Sequence, residues 1–283
     1  MTVIEFKDFK WHYFEREEHD LQGVNLKIKK GEFVGLLGPS GSGKTAFCYS
    51  IMGVVPHLSQ GRVKGGKVII DGLDTQDSSI GELSSRVGII MQSPKSQLTG
   101  AGLTIEEEVA FGLENTGVPR SEMGKRIKSV LKRVGLYELR KRSPFEVSGG
   151  QMQKVGIASV LVLEPKILIL DEPTGYLDPG GTEAVFSLVK KLNNQGKTII
   201  IVTHKLEYLA RYADRIILFN NGRVVRDGSP QEILSDTKLL KRNKIDPLPV
   251  TLLGEALKKK RKWKQELPIT VKEAVEGLRK VVK

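Results

Sequence analysis

Gly38-Pro39-Ser40-Gly41-Ser42-Gly43-Lys44-Thr45 decides the fold of this chain. It follows a short apolar run, Phe33-Val34-Gly35-Leu36-Leu37, that reads as a buried strand, and an apolar-periodic helix from Ala46 to Gly53 comes after it. Strand, glycine-rich turn and helix in that order are the setting a phosphate-binding loop requires. Glycines let backbone N–H groups curl round an anion without Cβ interference, and the new helix points its positive end at the same phosphates. Lys44 then reaches the β- and γ-phosphates, and the Thr45 hydroxyl ligates magnesium. A glycine-rich turn with an incidental lysine is the competing reading, and it leaves the matching flanks unexplained. The stretch predicts a nucleoside triphosphate site.

Length and composition bound the rest. The 283 residues suit one large domain or a domain with an appendage, and 39% apolar residues are enough for a packed core. No run approaches the roughly 18 apolar residues of a membrane span, and the opening MTVIEFKDFK lacks the apolar region of a signal peptide. The expectation is a soluble, cytoplasmic protein. Cys48 is the only cysteine, so an intrachain disulfide is impossible and core packing is its expected role. The net charge of +12 invites a nucleic-acid reading, but from Lys238 onward 14 Lys and Arg stand against 5 Asp and Glu. The surplus therefore sits in the tail, no basic stripe remains on the body, and no nucleic-acid partner is expected.

Val3 to Phe9 and Val24 to Ile28 read as strands of a leading antiparallel part, with Trp11 and Tyr13 in the charged connection between them. Gly61 to Gly66 reads as a flexible connector before a strand, Lys67 to Asp71, and Arg86 to Met91 as a buried strand ending at Gln92. Thr104-Ile105-Glu106-Glu107 is a capping box opening a helix over 105–115, and Ser121 is expected to cap a basic helix running to about Val134. Later come a helix from Ser148 to about Leu163, the apolar strand Ile167 to Leu170, a helix over 182–194, a strand Thr198 to Val202, a helix over 206–212 and strands at 215–219 and 223–226. Strands alternating with helices predict an α/β fold whose mainly parallel sheet is covered on both faces. The tail reads as two helices behind Pro247 and Pro249, the second opening with another capping box, Thr270 and Glu273.

The second chemical signal is Asp171-Glu172, delivered by Ile167-Leu168-Ile169-Leu170 to the C-terminal end of a parallel strand, where ligands of such sheets bind. Neighbouring side chains on a strand face opposite ways, so the two carboxylates have different tasks. Asp171 suits holding magnesium, and Glu172 suits orienting and deprotonating an attacking water. The third signal, Ser148-Gly149-Gly150-Gln151, is a second glycine-rich helix start. It has no lysine or metal-ligating successor, so it is either half of an anion site or an ordinary loop glycine pair. His204 is open between a ligand contact and a hydrogen-bonded strand-end histidine; His12, His19 and His57 have no partner pattern and read as structural.

Taken together, the phosphate loop, Gln92, Ser148 to Gln151, Asp171-Glu172, Gly175-Tyr176-Leu177-Asp178 and His204 resemble the ATP-binding cassette ATPases in order and spacing, over about residues 2 to 235. The resemblance implies a cassette domain over 1–235, with an antiparallel β part and a helical signature region, and a basic helical extension over 236–283. It further implies a head-to-tail dimer in which each ATP lies between one chain's Gly38 to Thr45 and the partner's Ser148-Gly149-Gly150, with Gln151 in the same signature. Tyr13 would stack on adenine, Gln92 would sense the γ-phosphate and its metal, and His204 would contact the γ-phosphate. Val147 stands where the signature usually has leucine, and Tyr176 where a small residue is common.

Gln92-Ser93-Pro94-Lys95-Ser96-Gln97, Glu108 to Asn115 and the tail beginning Leu248-Pro249-Val250-Thr251 look like the ATPases of energy-coupling factor transporters. That class implies uptake of a vitamin or transition-metal ion, a transmembrane coupling subunit, a substrate-binding membrane subunit and a place at the cytoplasmic face of the membrane. The alternatives are the ATPase of a binding-protein-dependent importer and a cassette ATPase acting on DNA or the ribosome; the chain has neither the coiled-coil insertion nor the second cassette usual in the last. Residues 93 to 118 are expected to contact the membrane partner, with Glu107 and Glu108 as its charged probes. In the tail, Leu252, Leu253, Ala256 and Leu257 make one apolar stripe and Val271, Ala274, Val275 and Leu278 another. A solvated charged face, a lipid contact and subunit association compete there, and the resemblance favours association.

Overall fold

Along the first strand the buried side chains change phase: Ile4 and Phe6 alternate, then Phe9 and Trp11 do, one residue out of step. A bulge explains the slip, since pairing on both neighbours shifts between Phe6 and Lys10 and Asp8 sits at φ +46°. The extra residue restores the inward phase for the second half of the strand. The computed structural model describes residues 1–14 and 20–282. His19, read above as structural, lies outside the described residues.

The chain builds two sheets. Strands β1 (Thr2–Tyr13), β2 (Leu21–Lys29), β4 (Gly61–Ile70) and β5 (Leu73–Asp74) form an antiparallel sheet in the order β2-β1-β4-β5. Strands β3 (Phe33–Leu37), β6 (Val87–Ile90), β7 (Ile167–Asp171), β8 (Thr198–Val202), β9 (Arg215–Asn220) and β10 (Arg223–Gly228) form a second sheet in the order β10-β9-β3-β8-β7-β6. There β9, β3, β8, β7 and β6 run parallel, and only β10 turns back antiparallel on β9. Every residue of β3 and β8 is buried, as expected for central strands covered on both faces. One face joins the antiparallel sheet and the helix Lys44–Met52, where Phe6 stacks on Phe47 with centroids 4.5 Å apart. The other carries the helices Ile105–Asn115, Arg120–Val134, Gly149–Leu161 and Pro179–Asn194.

Three expectations need correction. Gly61 to Gly66 is the first part of β4, not a connector: Gly61 pairs with Tyr13 and Val63 with Trp11. The glycine is needed there because a Cβ on Gly61 would come within 2.4 Å of the His12 carbonyl and the Trp11 ring. Trp11 and Tyr13 consequently lie in β1 itself, Trp11 fully buried. Ser121 caps nothing. The helix begins at Arg120 with Pro119 at its N-cap position, where proline's missing N–H and fixed φ fit a helix entrance.

The tail is joined to the body rather than hung from it. It holds three helices, Thr237–Arg242, Pro249–Lys259 and Val271–Val282. Leu240, Leu248 and Ile269 belong to the same buried cluster as β3, β7 and β8, and Gln231 Nε2 donates to the Leu267 carbonyl at 2.9 Å. The expected capping box at Thr270 and Glu273 is formed.

Candidate functional site

The phosphate loop leaves the end of β3 and turns at once into the helix Lys44–Met52. Gly43, at its N-cap, has φ +100°, and a Cβ there would meet the Asp20 carbonyl at 2.4 Å. A Cβ on Gly38 would meet the Phe219 carbonyl of β9 at 2.3 Å. Sterics alone thus require glycine at both ends of the loop. Lys44 lies across it, its Nζ donating to the carbonyls of Gly38 and Pro39, both at 2.8 Å, and to Ser42 Oγ at 3.3 Å. Burial holds the Lys44 ammonium below its usual pKa, and the charges of Glu172 and Asp171 resist that. Beside the loop a cleft of about 600 Å³ opens, lined by Tyr13, Asp20, Gly41 to Ala46 and Gln60. Tyr13 is brought to this cleft from the end of β1 and the loop from the end of β3.

The two carboxylates arrive at the end of β7. Asp171 Oδ2 accepts from Thr45 Oγ1 at 3.3 Å, which places a hydroxyl and a carboxylate oxygen side by side next to the glycine-rich loop. Burial raises the Asp171 pKa, opposed by that hydroxyl and by Lys44. No cluster of three or more His, Cys, Asp or Glu occurs among the described residues. A hydroxyl and one carboxylate are instead what magnesium takes when phosphate and water complete its shell.

Glu172 has left the strand: its φ is +46°, and its N–H donates to the Val202 carbonyl at 3.0 Å. Burial first, and then the charge of Asp171, push its pKa up to about 7. His204 Nε2 lies 3.4 Å from Glu172 Oε1, out of hydrogen-bond geometry, so that buried oxygen has no hydrogen-bond partner among the described residues. Burial and Lys44 together lower the His204 pKa. Both groups therefore move toward their neutral forms, and their contact is not an ion pair at rest. An unpartnered buried carboxyl oxygen next to a neutral imidazole is available to a water and a phosphate.

Gln92 follows β6 and is exposed, its Nε2 4.0 Å from where a Cβ on Gly175 would stand. Ser148 and Gln151 form a reciprocal capping box on the helix Gly149–Leu161, leaving Gly149 with an open approach. None of these four residues lines the cleft of their own chain. Gly150 instead neighbours Leu177, and Tyr176 beside it is 69% exposed. The signature and the segment Gly175 to Asp178 thus share an outward surface.

Two residues were unreadable from local pattern. Lys205 is tied to Thr174 and Thr182, far off in sequence. Glu108, taken as a surface probe, is 1% exposed and accepts from the N–H groups of Thr99 and Gly100 at 2.6 and 3.1 Å. It anchors the loop before its own helix, and Glu107 is held by its capping box, so neither is a free surface charge.

The profile of the ABC transporter family matches residues 21–175, from β2 through the phosphate loop and Glu172. An ABC transporter ATP-binding protein of Pyrococcus abyssi, provisionally so described, is 47% identical over 261 residues covering 92% of each chain. The energy-coupling factor transporter ATP-binding protein EcfA of Methanocaldococcus jannaschii is 36% identical over 92% of this chain and 91% of its own. Among solved structures, cbiO1 of Clostridium perfringens, part of the ABC transporter complex cbiONQ, superposes with a TM-score of 0.76 at 31% identity, covering 90% of this chain and 99% of that one. The loop, the paired carboxylates and these matches lead to one conclusion: the chain belongs to the ABC transporter family, as an ATP-binding, ATP-hydrolysing member.

Proposed function

We propose that this chain is the ATPase subunit of an energy-coupling factor type importer, working at the cytoplasmic face of a membrane on a vitamin or a transition-metal ion. Two chains, either two copies or this chain with a related ATPase, close on two molecules of Mg-ATP. Lys44 and the loop amides hold the phosphates, Thr45 and Asp171 hold the magnesium with Gln92 nearby, and Tyr13 supports the base. Glu172 orients the attacking water, His204 touches the γ-phosphate, and the partner chain supplies Ser148, Gly149, Gly150 and Gln151. A transmembrane coupling subunit and a substrate-binding membrane subunit complete the assembly.

One observation supports the transport reading above the others. Gln97 Oε1 accepts from the Met91 N–H at 2.8 Å, and its Cγ lies only 2.8 Å from where a Cβ on Gly156 would stand. The segment after Gln92 is therefore locked to the signature helix, so a shift at the γ-phosphate moves both together. The direct test is mass spectrometry of the intact complex purified from membranes. Two hydrophobic membrane subunits are expected with the ATPase pair; a chain that copurifies with none overturns the proposal.

Because Glu108 is buried, the contact with the membrane partner is better probed at Leu103, which is 86% exposed on the loop beside it. Leu103→Asp is expected to lower transport-coupled ATPase activity several-fold and to leave ATP affinity unchanged, since the change costs only exposed apolar contact. Equal coupled activity in the two forms would place the contact elsewhere.

The tail supports a second expectation. Packing of its helices covers Ala274, but Leu253, Val271 and Val275 stay 42%, 69% and 43% exposed. These half-covered stripes fit association of two ATPase subunits when ATP is absent. Deleting 246–283 would also strip Leu248 and Ile269 from the main core, so paired Leu253→Asp and Val275→Asp changes are the cleaner test. Light scattering should report a nucleotide-free monomer; a stable dimer counts against the assignment.

A further inference from the structure

Lys205 follows His204 directly, and its ammonium turns inward. Nζ donates to the Thr174 carbonyl at 3.1 Å and to Thr182 Oγ1 at 2.7 Å. Thr174 and Thr182 are both fully buried, and the Thr174 carbonyl also accepts from the Leu177 N–H at 3.2 Å. The backbone of Lys205 is fixed in turn, its N–H donating to Thr203 Oγ1 at 3.2 Å. One cation therefore joins three segments: the turn carrying His204, the turn from Glu172 to Asp178, and the start of the helix Pro179–Asn194. Within the second of these, the Glu172 carbonyl accepts from the Gly175 N–H at 3.2 Å, so the carboxylate-bearing residue and exposed Tyr176 sit on one short, tied loop.

We propose that Lys205 is a positioning residue for ATP turnover: by holding the Thr174 carbonyl and the Thr182 hydroxyl it fixes the loop Glu172 to Asp178 against the His204 turn. The proposal rests on the reading of Glu172 and His204 given above. Charge-assisted bonds to two neutral acceptors are short and directional, and Met, of similar length, keeps the packing of the stem while losing both. A displacement of about 1 Å at reacting groups costs up to roughly 100-fold in rate. ATP itself is held by the phosphate loop, which Lys205 does not touch.

The test is steady-state ATPase kinetics of the full chain with thermal melting of each variant. Lys205→Met is expected to lower kcat about tenfold with KM for ATP changed less than twofold. Lys205→Arg, which keeps two donors, is expected to recover most of that loss. Thr182→Val removes one acceptor and should show a smaller fall in kcat of the same kind, which decides the matter if Lys205→Met fails to fold. An unchanged kcat in Lys205→Met overturns the proposal. So does an equal loss in the Met and Arg variants that tracks a lowered melting temperature, since that is a fold tie and nothing more. Glu172→Gln measured alongside separates the two readings: if it keeps turnover, the role of Glu172 is wrong and the proposal falls with it. If it stops turnover while Lys205→Met is silent, the positioning role alone fails.

Discussion

Glu172→Gln is expected to bind ATP normally and to hydrolyse it roughly a hundredfold to ten-thousandfold more slowly, the range usual for loss of a general base. The geometry carries the expectation, because Glu172 Oε1 is buried and without a hydrogen-bond partner beside His204, whereas Asp171 is engaged with Thr45. The same change has a second, opposite effect. The folded pKa of Glu172, about 7, lies above the ordinary value of 4.5. A carboxyl with a raised pKa favours the folded state at low pH, and that contribution is lost as pH rises from the unfolded value through the folded one. Above pH 7 the nucleotide-free protein therefore carries a buried charge that Lys44, the His204 backbone and Lys205 offset only in part, costing at most about 3 kcal/mol. Glutamine removes that charge. At pH 8 the variant should melt higher than the wild type, and at pH 4 the difference should vanish. Unchanged turnover would remove Glu172 from the reaction, and an equal melt at pH 8 would mean that the charge is not buried at rest.

Lys44→Ala is expected to act on binding rather than on turnover. Nζ sits over the loop in contact with two carbonyls and Ser42, poised to exchange those acceptors for phosphate oxygens. A bond from an ammonium to a charged acceptor is worth about 1.5–3 kcal/mol, so ATP affinity should fall on the order of 10- to 100-fold. The loop should loosen as well, since those carbonyls lose their donor. Calorimetric titration with ATP at fixed magnesium is the check, and an affinity within twofold of wild type would exclude Lys44 from the phosphates.

Where a feature is written in local spacing, the sequence was sufficient. The phosphate loop and the capping boxes at Thr104 and Thr270 each depend on residues three or four apart, and each is formed. The apolar runs of β3, β7 and β8 were legible for the same reason: strands buried on both faces have no polar phase to hide. What failed depends on partners far along the chain. Gly61 to Gly66 has the composition of a linker and becomes a strand only because the end of β1 pairs with it. Glu108 looks like a surface acid and is buried because Thr99 and Gly100 fold back onto it. Lys205 looks like an ordinary surface lysine, and its two acceptors lie 31 and 23 residues away. The signature Ser148 to Gln151 is a different case. It was readable as a motif, yet it does not line the cleft beside its own chain's phosphate loop, and its partner would be another molecule.

The proposed assembly requires that each ATP be sandwiched between the loop of one chain and the signature of another. Mixing two inactive forms of the full chain tests it directly. Lys44→Ala disables the loop and leaves the signature, while Ser148→Arg blocks the signature and leaves the loop. In a mixed dimer one site carries both defects and the other carries neither. At an ATP concentration that fills the intact site and not the Lys44→Ala loop, ATPase activity absent from each form alone should therefore return on mixing, to about a quarter of wild type per chain if the forms pair at random and each intact site turns over by itself. A mixture as inactive as its components would contradict the shared site.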